Sequence, residues 1–318
     1  MRDPADIIYN PETWPIAAAM IHRAGELRDG RTAQDQSPED WARALTEVAA
    51  AGFSHVDPFD SWIRLADLDP GRRAEFMAVT REAGLSIPAI STARRSVIDP
   101  EHGDDHLAYA HRVIDTAAEI GAGAVSVGLF GPLSPAQREA LWFWTAPGVV
   151  NPDDPEIHAK AVARIADLGR HAGELGLELA LEMYEDTYLG TADGAVRFVT
   201  DVDMPNVKVN CDLGNLIRMH RPVEDWRSMM TKLAPFAGYW HAKNYHRLAD
   251  AQTGAVMSAP APLEHGVINY RDAVRMALEA GFKSGFALEH YGGDGLSVCA
   301  QNLTYLRRIL RATMTVTA

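Results

Sequence analysis

Short apolar runs alternate along the chain with longer amphipathic stretches. The runs at 15–21, 53–57, 86–91, 124–130, 177–183, 207–212, 238–243 and 285–289 carry the aliphatic and β-branched residues that suit strands. The stretches at 38–51, 71–84, 105–121, 156–176, 191–202, 223–234, 270–281 and 297–312 read as helices. Start signals support them: Ser37 with Asp40 three residues on, and Asn269 before Tyr270. Stop signals follow at Gly52, Gly84, Gly121, Gly176 and Gly281. This rhythm is that of an α/β protein, a (β/α)8 TIM barrel, and such a barrel fills 318 residues as one domain. No Pro/Ser/Gly-rich linker divides the chain.

One segment breaks the rhythm. Residues 131–155, GPLSPAQREALWFWTAPGVVNPDDP, form an insertion far longer than an ordinary βα loop. It places Trp142, Phe143 and Trp144 side by side between prolines. Two readings stand equal: a surface helix packing its aromatics on the barrel, or a lid or subunit contact over the active face. On the second reading Trp142 and Trp144 touch substrate.

The chemistry lies at the strand ends. Glu182 closes LELALEM, Asp212 VKVNCDL, His241 GYWHAKN and Glu289 GFALEHY. Side chains alternate along a strand, so Leu181, Cys211 and Leu288 face the helices while their polar neighbours face the barrel mouth. Three clustered carboxylates repel one another unless a cation joins them. Hard oxygens with one imidazole suit octahedral Mn²⁺, Mg²⁺ or Co²⁺.

These motifs resemble the sugar phosphate isomerase/epimerase superfamily, the xylose-isomerase-like TIM barrels. The matching stretches are LALEMYED, CDLGN, WHAKNYHR and FALEHYGGDG, with EHGVINYRDAVRMALEAGFKSGFALEH before and through the last strand. The resemblance implies a divalent metal on Glu182, Asp212, His241 and Glu289, commonly Mn²⁺, with Mg²⁺, Co²⁺ or Zn²⁺ as alternatives. It also implies that Glu182 and Glu289 serve as an acid/base pair. Two positions depart from the pattern: Asn215 stands where His is common and Asn244 where Asp is common. Asn215 is expected to bind substrate by hydrogen bonds, but it cannot carry a proton.

Around this set, Lys243 shares the face of His241 and is expected to hold a sugar oxygen or an oxyanion, or else to pair with Glu182 or Asp212. His22, ending the first strand, and His246, in a loop after Lys243, are candidate bases. Asp57, ending the second strand, is a candidate for a substrate hydroxyl. Arg94 and Arg95 bind a phosphate or are solvated. The function expected is a metal-dependent sugar isomerase or epimerase working by enolisation. One alternative is a carbon–carbon lyase resembling the large subunit of bacterial C-glycoside deglycosidases, working with a small all-β subunit. Another is a non-catalytic sugar-binding barrel.

The formal net charge of −13 argues against nucleic acid as a partner. A small sugar or glycoside fits better, and homo-oligomers are common in the family. The N-terminal MRDPADIIYNPETWP lacks a leader pattern, and no run approaches a membrane span. Cys211 and Cys299 form no paired motif, so a cytoplasmic location is expected.

Overall fold

A barrel strand needs apolar residues on the face toward the helices, while the face toward the lumen takes small or polar ones, and the predicted runs follow that pattern. The computed structural model describes residues 9–28 and 30–316. The start of the stretch read as leader-free, residues 1–8, lies outside the described residues. Its barrel strands are β1 (Ile16–Ala19), β2 (His55–Asp57), β3 (Ala89–Ser91), β4 (Ala124–Val127), β5 (Glu178–Glu182), β6 (Val207–Asn210), β7 (Trp240–Ala242) and β10 (Phe286–Leu288). They pair in parallel as β2-β1-β10-β7 and β3-β4-β5-β6. Single parallel bridges, His55 with Ser86 and Val209 with Ala237, join the two arcs into a closed ring.

Helices α1 (Pro38–Ala50), α2 (Pro70–Glu82), α3 (Gly103–Ile120), α5 (Pro155–Glu174), α6 (Ala192–Val202), α8 (Trp226–Leu233), α9 (Tyr270–Glu279) and α10 (Gly295–Val316) follow the barrel strands in turn. The capping box at Ser37 and Asp40 forms, and Asn269 accepts from the Asp272 N–H. At the end of α3, Gly121 takes φ 79°, a conformation that costs glycine little and other residues more.

The core has two parts. Leu181, Cys211, Trp240, Ala242 and Leu288 join the large apolar layer between sheet and helices. Inside the ring, Ala19, Ala89, Ala124, Ala180 and Ala287 pack with Phe59 and Tyr239. Small interior residues leave lumen space, and polar side chains fill it toward the C-terminal rim. Among the described residues, no helix is long and apolar enough to cross a membrane.

Two excursions depart from the simple barrel. The segment between β4 and α5 holds a short helix, α4 (Pro135–Glu139), and a 3-10 turn at Phe143–Thr145. After β7, where a loop carrying His246 was expected, the chain forms an antiparallel hairpin of β8 (Asn244–Ala249) and β9 (Val256–Ala261). Asn244 anchors it: its amide N–H₂ donates to the carbonyls of Leu263 and Ile268, and its oxygen accepts from the N–H groups of Tyr245 and Ile268. An Asp, with no N–H to give, could not hold both carbonyls, which explains this departure from the family pattern. Gly266 passes so close to the Asn244 side chain that any Cβ there would overlap it.

Candidate metal centre

The ladder of β6 stops at Asn210, and Asp212 becomes the N-cap of a short helix, α7 (Leu213–Ile217), two residues later. Glu182 ends β5, His241 is the middle residue of β7, and Glu289 follows β10 directly. One ligand atom from each of the four lies within 4.8 Å of the others, and all four side chains are buried. The strand ladder thus gathers residues more than a hundred positions apart in sequence into one point at the C-terminal rim.

Several donor atoms here are left over. Glu182 Oε2, Glu289 Oε1 and His241 Nδ1 are buried and make no hydrogen bond of good geometry among the described residues. Buried acceptors without partners are costly. Their convergence fits a divalent cation, with two carboxylate oxygens and one imidazole nitrogen aimed at it and Asp212 completing the set.

Other contacts hold these groups in place. Asp57 is fully buried and accepts four hydrogen bonds: Oδ1 from the N–H groups of Phe59 and Ser91, Oδ2 from Ser91 Oγ at 2.6 Å and Tyr239 Oη at 3.1 Å. Because the Ser91 hydroxyl donates to Asp57, its oxygen accepts from His241 Nε2–H, 2.9 Å away. That fixes the imidazole tautomer and leaves Nδ1 as a lone-pair donor toward the metal position. The expectation that Asp57 meets a substrate hydroxyl is therefore corrected: its lone pairs are already taken, and it lies beneath the site. We expect Asp57→Asn, which breaks this acceptor set, to weaken metal binding about 10–100-fold; calorimetric titration with Mg²⁺ tests this, and unchanged affinity would refute the relay.

Asn215 serves the ligands too. Its amide nitrogen donates to Glu182 Oε1 (2.9 Å), Asp212 Oδ2 (3.0 Å) and the Met183 carbonyl (2.9 Å), while its Oδ1 has no partner among the described residues. Lys243 pairs with Asp212 and Glu289, each at 2.5 Å. Of the pairings expected from sequence, the one with Asp212 forms, and Glu289 takes the place of Glu182. Burial pushes Asp212 up to about 7 against the opposing pull of Lys243. Glu289 goes the other way: burial alone would raise it, but Lys243 and His241 outweigh that and hold it low. Burial alone would lower His241, but Glu289 and Glu182 raise it to about 10. A metal must displace protons from such a site. With His241 protonated up to about pH 10 and Asp212 up to about pH 7, a metal displaces one proton above pH 7 and two below it, so the Kd for Mg²⁺ is expected to rise about tenfold per unit as pH falls toward 7 and more steeply below. Titration across pH 5.5–8 reads this out, and a flat profile would contradict it.

Neither candidate base is one of the four clustered ligand residues. His22 sits in a 3-10 turn after β1, beside Gly295, and burial followed by nearby Arg23 lowers its pKa. His246 is exposed on β8. Arg95 pairs with buried Asp60 at 2.8 Å.

An aromatic roof covers the ligands. Trp144 is 2% exposed, stacks on Trp142 at 5.1 Å and meets Tyr245 and Tyr291 edge-on. The Tyr291 ring centroid lies 5.7 Å from Lys243 Nζ, so the roof rests directly above the ligand set. Gly292 makes room for Trp142, whose ring would meet a Cβ there at 2.7 Å. The inserted segment thus packs its aromatics against residues beside the ligand set. Behind the roof lies an ion pair that no motif signalled: fully buried Arg218, just after α7, with Glu185 at 2.7 Å. The signal was present in NLIRMH, where an Arg interrupts apolar residues.

Comparison with known proteins follows this geometry. A xylose isomerase-like TIM barrel protein from Mycobacterium smegmatis, solved in complex with magnesium, is 45% identical with TM-score 0.93, over 96% of this chain and 100% of that one. The D-psicose 3-epimerase of Clostridium cellulolyticum H10, solved with D-tagatose, shares the fold at TM-score 0.61 and 14% identity, over 95% and 98% of the two chains. The 3-keto-D-glucoside 4-epimerase of E. coli does so at 0.59 and 15%, over 93% and 99%. Among curated proteins, none matches the chain. The model of the xylose isomerase-like TIM barrel family matches residues 45–309, and the chain belongs to that family.

Proposed function

We propose that the chain is a divalent-metal-dependent enzyme that enolises a sugar or keto-sugar, as an isomerase or epimerase. The observation that carries this reading is the convergence of Glu182 Oε2, Glu289 Oε1 and His241 Nδ1, the last two 3.0 Å apart, in one buried space. The magnesium held by the M. smegmatis relative supports a hard divalent ion here, Mg²⁺ or Mn²⁺. When bound, such an ion polarises a carbonyl and the hydroxyl beside it, making the intervening C–H more acidic.

The chain's own residues then divide the work. Glu182 and Glu289 enter from different strands, so one carboxylate takes the proton and the other returns it on another face or carbon. Lys243 Nζ, between Asp212 and Glu289, pairs with both and offers a positive charge to a developing oxyanion. Asn215 holds Glu182 and Asp212 in register, with its own Oδ1 free to accept a substrate hydroxyl. The roof excludes water from the reacting carbon.

The roof also favours a second reading, a lyase that seats an aromatic aglycone against Trp142 and Trp144. Incubation of the metal-loaded enzyme in D₂O with ketoses, 3-oxo-sugars and aryl C-glycosides separates the two. Deuterium in the sugar without aglycone release supports isomerase or epimerase chemistry, and metal-dependent aglycone release supports the lyase. No exchange on any of them would leave a sugar-binding barrel. The assembly we infer is a homo-oligomer, with exposed Leu141, Val150, Leu248 and Met257 as its support. Two buried free thiols support a reducing, cytoplasmic setting.

A further inference from the structure

The unpartnered atoms near the ligands fall into two classes. Those on Glu182, Glu289 and His241 are acceptors, and a cation answers them. Asn215 Oδ1 is a further acceptor, and beyond it lie buried donors, Arg218 Nε and Nη1, Trp144 Nε1 and the Tyr245 hydroxyl, with no hydrogen bond of good geometry among the described residues, although Tyr245 and Arg218 lie within reach of each other. Arg218 is fully buried, and Glu185 engages only its Nη2, at 2.8 and 2.7 Å. Its guanidinium carbon lies 4.8 Å from the Phe143 ring centroid, 5.3 Å from Trp144 and 4.9 Å from Tyr184. These rings offer π faces but no acceptor for the two free N–H edges.

Position ties this cluster to the metal ligands. Arg218 is the C-cap residue of α7, the helix that Asp212 begins. Tyr245 and Tyr291 each feel the charges of both Lys243 and Arg218, so they bridge the ligand set and the guanidinium. Arg94 flanks two of the same rings, 4.9 Å from Phe143 and 5.7 Å from Tyr184. It makes no ion pair among the described residues, and it holds φ 58°, a strained value for a residue with a side chain. Two guanidinium charges against the single carboxylate of Glu185 leave this end of the site positive, within a protein of net charge −13.

We propose that Arg218, with Arg94 and Tyr245, receives a carboxylate of the substrate at the end remote from the metal ligands, so that the enzyme acts on keto-sugar acids in preference to neutral ketoses. A group that accepts hydrogen bonds and carries negative charge satisfies the unmet donors and the local charge together, whereas a neutral CH₂OH satisfies neither. The proposal rests on the enolisation reading for its chemistry and on these donors for its specificity.

The test uses the Mg²⁺-loaded full chain and matched pairs that differ only at the terminal carbon: D-fructose with D-fructuronate, and D-tagatose with D-tagaturonate. The uronates are expected to bind at least tenfold more tightly by calorimetry and to show the higher kcat/KM. Tyr245→Phe removes one hydroxyl beside Arg218 and keeps the ring, so the uronate-to-ketose ratio is expected to fall tenfold or more, through the KM of the uronate, while the KM of the neutral ketose holds. Arg218→Lys, which keeps the charge toward Glu185, lowers the ratio further. Equal affinity for both members of a pair, or variants that leave the ratio unchanged, would overturn the proposal. Calorimetry and deuterium exchange separate the two readings. Uronate binding that depends on Tyr245 without exchange sinks enolisation alone. Exchange on neutral ketoses with a ratio indifferent to Tyr245 sinks the carboxylate site alone.

Discussion

Glu182→Gln is expected to lower turnover on the best substrate by about a thousandfold or more, with the barrel intact. The change keeps the side chain's shape but removes a proposed metal ligand and a proposed member of the acid/base pair, and general acid–base groups alone are commonly worth 10²–10⁴ in rate. The fold should not suffer. Glu182 is one of three buried carboxylates crowded around a point, and without metal their mutual repulsion is unfavourable. A neutral amide relieves that repulsion, so the metal-free variant is expected to melt at or above the wild-type temperature. Steady-state kinetics with excess Mg²⁺ and a thermal melt in EDTA check the two halves. Near-normal turnover would remove Glu182 from the chemistry, and a collapse of the metal-free melt would mean its role is structural.

Arg218→Met is expected to destabilise the protein by about 3–5 kcal/mol, the usual consequence of leaving one member of a buried ion pair uncompensated. Glu185, 5% exposed, would lose its only ion-pair partner among the described residues while Phe143, Trp144 and Tyr184 stay packed around the vacated position. The double variant Arg218→Met with Glu185→Met removes both charges and should recover most of that loss. Denaturant unfolding of the two variants distinguishes the cases. Equal losses in the single and double variants would show that packing, rather than charge, sets the stability there. A recovered double variant that still fails to bind uronates would show that the pair is kept for substrate and not for the fold.

The barrel and its metal ligands were legible because both depend on local rules. Two-residue alternation put Leu181, Cys211 and Leu288 outward and Glu182 and Glu289 inward, and the ring of strands then brought the ligands together without further information. The hairpin after β7 was not legible. It packs one edge against the site at Tyr245 but exposes Leu248 and Met257, so its burial pattern carries little clear alternation. Asp57 read as a substrate residue because a strand-end carboxylate looks the same in sequence whether its lone pairs are open or already taken by Ser91 and Tyr239. The partners of Arg218 could not be read at all. Glu185 lies 33 residues away and the rings around it come from two other loops, so only three-dimensional packing pairs them.

The most direct measurement is a Mn²⁺ titration of metal-free protein followed by electron paramagnetic resonance, for the wild type, Glu182→Gln and Asp212→Asn. One ion per chain in the wild type, with affinity lost at least a hundredfold in both variants, is the expected result. An unchanged stoichiometry and affinity in the variants would place the metal elsewhere and contradict the site built from Glu182, Asp212, His241 and Glu289.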